Sequence, residues 1–95
     1  MSQQEGQKLS EEIHKLMEVV SNGKVFEILG YDNISKILKL DEEGGIKFIM
    51  NEMLHAFNNA GYDTNKIILE NKEVRSLLVN GAKHIYKYVI PFKEF

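Results

Sequence analysis

Residues 46–60, IKFIMNEMLHAFNNA, place Ile46, Ile49, Met50, Met53, Leu54, Phe57 and Ala60 at steps of three and four. At about 100° per residue, these seven fall along one side of an α-helix. No other segment joins so long an apolar stripe to such bulky side chains. The helix is therefore expected at the centre of the fold, with Leu54 in the core.

A chain of 95 residues holds one domain, just above the size at which a single apolar core suffices. Its 43% hydrophobic and 27% charged residues argue against disorder. Pro91 is the only proline, and the balance of Glu, Lys, Leu, Ile and Asn favours helices over strands. The expected fold is all-α, a compact bundle of four to five helices, with residues 1–8 a flexible tail and residues 9–95 a single helical domain.

Local signals divide that domain. Ser10 is a candidate cap for a helix whose stripe is Leu9, Ile13, Leu16, Met17 and Val20, and Asn22-Gly23 stops it. Residues 24–29, KVFEIL, fit a helix or a strand; helix is preferred because a lone strand has no pairing partner. Gly30-Tyr31-Asp32 returns as Gly61-Tyr62-Asp63, and the chain laid on itself at that offset also matches Ile37/Ile68, Leu38/Leu69 and Glu42/Glu73. Two helix–corner–helix units explain the similarity; so does shared punctuation, with glycine ending one helix and aspartate capping the next. Asp41 is expected to cap the central helix, where Gly44-Gly45 marks a bend or a close helix approach. The last helix runs from about Asn71 to Val89 and ends before Pro91.

Several function classes drop out. With no cysteine there is no disulfide, zinc knuckle or thiol catalysis. The apolar runs are too short for a membrane span, and MSQQEGQ lacks the layout of a secretory signal, so a cytoplasmic protein is expected. Glu11–His14 and Glu52–His55 have the Glu-x-x-His spacing of carboxylate metal sites, but both pairs lie off the apolar stripes, so no metal or other cofactor is expected. No serine sits in a nucleophile elbow and the glycine pair, which follows three acids, has no nearby lysine-threonine pair, so no catalytic residue is nominated and the chain is read as a non-enzyme.

Two binding readings remain. The first is a small interaction or regulatory protein acting through a helical surface on a protein partner or a second copy of itself. Phe48 lies opposite the central stripe with Glu52 and His55 nearby, and Tyr86, Phe92 and Phe95 add aromatic bulk near the C-terminus. The interface set is Phe48, Glu52, His55, Tyr86 and Phe92. The alternative is weak nucleic-acid binding through Lys72, Arg75, Lys83, Tyr86 and Lys87, a basic face with one aromatic on the last helix. Charge is split along the chain: residues 1–64 carry six lysines against eleven acids, and residues 65–95 carry six basic residues against three acids. The preferred reading of that split is two halves of one domain attracting each other.

Overall fold

Three short polar side chains set where helices begin. Asp41 Oδ1 accepts from the Gly44 amide at 2.8 Å, Asp63 Oδ1 from the Lys66 amide at 3.3 Å, and Asn71 Oδ1 from the Val74 amide at 3.3 Å. Helix ends are set by Gly23, Gly30 and Gly61, whose φ values of 85°, 83° and 105° lie where side chains are disfavoured. In this computed structural model, which describes residues 2–94, the elements are α1 (Ser2–Ser21), α2 (Val25–Leu29), α3 (Tyr31–Leu38), α4 (Glu42–Asn59), α5 (Thr64–Glu70) and α6 (Lys72–Val89). A 3-10 turn, Ile90–Glu94, follows where Pro91 ends the α-helical run. The fold is all-α, with no strand among the described residues.

Within the span expected as a tail, the chain is helical from Ser2. Ser10 lies inside α1 rather than at its cap. The extra turns lie across the α5–α6 junction, where Gly6 is buried and a Cβ in its place would stand 2.5 Å from Asn71 Nδ2. Residues 24–29 contain helix α2, with Val25 buried.

The centre of the fold is α6, not α4. It packs against α1, α2, α3, α4, α5 and the 3-10 turn. Its buried residues are Val74, Leu78, Gly81, Ala82, Ile85, Tyr86 and Val89. The molecule measures 45 × 24 × 20 Å, so its short axes hold about two helix diameters. Two layers need one shared helix, and α6 meets that need because small residues lie at its crossings. A Cβ on Gly81 would stand 3.1 Å from Ile13 of α1 and 3.3 Å from Met53 of α4.

The phase of α4 differs from the expected stripe. Gly45, Ile49 and Met53 are its buried residues; Ile46, Met50, Leu54 and Phe57 are half-buried, and Ala60 is exposed. Phe48 packs against the core of its own chain. The regular helix starts at Glu42, ahead of the glycine pair, and the pair serves a close approach: a Cβ on Gly45 would lie 2.6 Å from the Tyr86 ring and 3.3 Å from Ile37. Gly45→Ala should therefore destabilise the domain. Overpacking costs about 1–3 kcal/mol, against roughly 1 kcal/mol gained in helix propensity. In a thermal melt, the variant should lose more than Gly45→Ala costs when Tyr86 is already leucine, because that background removes the ring it strikes.

The repeated Gly-Tyr-Asp corners are alike in part. Each joins a longer or shorter helix to a short one through a left-handed glycine, and each sets a phenylalanine five residues before its tyrosine. Phe26–Tyr31 and Phe57–Tyr62 have ring centroids 6.3 and 6.2 Å apart. They part at the aspartate: Asp63 caps α5, whereas Asp32 lies within the first turn of α3. Buried Thr64 holds the second corner by donating its hydroxyl to Asn58 Oδ1 at 2.7 Å.

Candidate functional site

An open groove lies between α1 and α4, with the buried Ile85 of α6 at its base. Leu16 and Val19 line it from α1, Met53, Ala56 and Phe57 from α4, and Ile28 and Leu29 of α2 close one end. Its volume is about 300 Å³, at the small end of the range for ligand pockets. The helices leave it open because α1 and α4 each bury their stripes on α6 rather than on one another. Val19 and Ile28 are 38% and 37% exposed, so they add to the groove's apolar wall without being part of the core.

The rim is polar. Glu12 and Lys15 stand on the α1 side and form an i,i+3 ion pair of 3.8 Å, whose net worth in solvent is small. Glu52 stands opposite on α4, and Asn33 of α3 stands at the end, where its amide donates to the Leu29 carbonyl at 2.9 Å. Among the described residues Glu52 has no ion-pair partner. Every lining residue except Ile85 comes from the acidic part of the chain, residues 1–64.

The expected interface residues do not form one patch. Glu52 lines the groove and His55 is exposed beside it on α4, but Phe48 is half-buried on its own core. Tyr86 is corrected outright: it is buried against Gly45, with 8% of its surface exposed. Phe92 lies elsewhere, its ring centroid 6.3 Å from that of Phe26. Phe95 lies outside the described residues.

On α6, Lys72, Arg75, Lys83 and Lys87 are exposed, and Lys72 and Arg75 flank a shallow depression with Ser76, Val79 and Asn80. Burial of Tyr86 removes the one aromatic that was to stack on a base, leaving a solvated cationic face. The preferred reading of the charge split also changes. The ion pairs among the described residues are Lys15–Glu12 within α1 and Lys47–Glu43 within α4, both in the acidic part, and none joins it to the basic part.

One polar contact could not be read from periodicity. Ser21 Oγ at the end of α1 lies 2.7 Å from His84 Nε2 on α6, and the hydroxyl donates to the Met17 carbonyl at 2.9 Å. With the hydroxyl proton directed at that carbonyl, the ring nitrogen is the donor, the reverse of a base activating a nucleophile. The contact ties α1 to α6. His14 makes a local bond of the same kind, its Nδ1 donating to the Ser10 carbonyl at 2.9 Å. Among the described residues no three His, Asp or Glu side chains converge as metal ligands, and no helix is long and apolar enough to cross a membrane.

The groove was missed in the sequence because four helices assemble it and no single period records it. Its one local signal is apolar residues lying off the stripes, Val19 beside Val20 and Ile28 within the short α2. The comparisons are silent: no family model matches this chain, and no curated protein or solved structure matches it either.

Proposed function

We propose that this protein is a non-catalytic binding module that receives apolar side chains of a partner protein in the groove between α1 and α4. One observation carries the reading: an apolar channel floored by Ile85 and Met53 stays open in a chain short of core material. Nucleic-acid binding on α6 has less support, since that face holds scattered cations without an exposed aromatic.

The test is a variant that fills the groove from an exposed position. Ala56→Trp changes an exposed residue of the groove wall, so its melting temperature should stay within a few degrees of the wild type. The probe is a helical peptide of about 15 residues with leucine at i, i+3, i+4 and i+7 and glutamine elsewhere. In amide NMR spectra it should shift groove residues of the wild type, with at least about tenfold weaker binding to the filled variant. Equal binding by both proteins places the peptide elsewhere and rejects the reading.

A further inference from the structure

The groove discriminates among the ways a protein can present apolar side chains. Strand addition needs an exposed sheet edge, and the described residues contain no strand. A polyproline segment needs a row of aromatics, whereas Phe57 is the one aromatic in this lining. A helix suits the length: from Glu12 to Val19 along α1 is two turns, about 10 Å, which spans anchors at i, i+3 or i+4, and i+7. Two helices already lie side by side on α6, and the position between them that faces Ile85 is where a further helix of a bundle would pack.

Charge selects among helices. Among the described residues Glu52 has no ion pair, and Lys15, the one cation among them on the rim, is engaged by Glu12. The charged residues of the lining are Glu12, Lys15 and Glu52, two acids against one cation. Resting on the groove reading above, we infer that the occupant is a basic amphipathic helix of another protein, its apolar face on Val19, Ile28 and Phe57 and a lysine or arginine beside Glu52. A second copy of this chain does not offer such a helix. Its own basic helix, α6, has its apolar face in its own core.

The experiment compares three helical peptides with the same leucine face and with lysine, glutamine or glutamate on the other positions. Titrations at low salt, followed by amide shifts, are run on the wild type and on Glu52→Gln, with circular dichroism confirming the fold of the variant. The expected order is lysine, then glutamine, then glutamate, with about three- to tenfold between the first two. The lysine preference should shrink in Glu52→Gln and in higher salt. If all three peptides shift the groove amides with equal affinity, or if Glu52→Gln leaves the preference intact, the charge inference is wrong and the groove reading stands. If no peptide shifts groove amides, both fail. If a dilution series moves the same amides with no peptide present, the groove belongs to a second copy and the proposal is overturned.

Discussion

Ile13→Ala should lower stability by about 2–5 kcal/mol, the range for truncating a fully buried aliphatic side chain. Ile13 is completely buried, and its Cγ2 lies at the point where Gly81 lets α1 approach α6. Truncation empties the seam between the two helices, and the glycine opposite has no side chain with which to fill it. For a domain of this size, each kcal/mol moves the midpoint by about 4–8 °C, so a thermal melt should fall by at least about 8 °C. Leu54→Ala, on the stripe expected to form the core, is a useful companion because Leu54 is only half-buried. It should cost less than Ile13→Ala. The reverse order in matched melts would mean that the stripe of residues 46–60 is the true core face and that α6 is not the central helix.

Tyr86→Ala should cost about 3–5 kcal/mol, as loss of a large buried aromatic does. A surface tyrosine on a basic face would change stability by no more than about 0.5 kcal/mol on truncation, so the two placements differ several-fold. The ring lies over Gly45, close to Ile37, at the meeting of α3, α4 and α6. Chemical denaturation is the suitable readout, with the midpoint moving and the slope unchanged if the native state alone is affected. A midpoint within error of the wild type would return Tyr86 to the surface and restore the stacking group to the α6 face.

These two residues show what was legible in the sequence. The helix boundaries set by single residues with local chemistry were legible: Asp41, Asp63 and Asn71 accept from amides three residues on, and Gly23, Gly30 and Gly61 take the positive φ that ends a helix. The rotation of α4 was not. Its stripe counts the apolar side chains, whereas burial there is centred on Gly45, Ile49 and Met53, and a glycine adds nothing to a hydrophobic pattern while marking the closest approach. Tyr86 was misplaced for a related reason. A helix packed on several sides buries a wider arc than the one-sided stripe assumes. The polar start of α1 hid its helix in the same way, since Gly6 is covered by Asn71 and Val74 from a distant part of the chain. The groove, and Ser21 with His84, depend on helices that only the tertiary fold brings together.

The helix that every other element packs against is also the last long one in chain order. Synthesis runs from the N-terminus at about 5–20 residues per second, so α1 to α5 emerge before the surface they need exists. Short helices are marginal in water on their own, and those preceding α6 present Ile13, Ile37, Ile49 and Ile67 to solvent until it arrives. The nascent chain thus passes through a stage in which its most apolar side chains lack the surface of α6. The native packing of every other element is complete only once residues 72–89 have emerged.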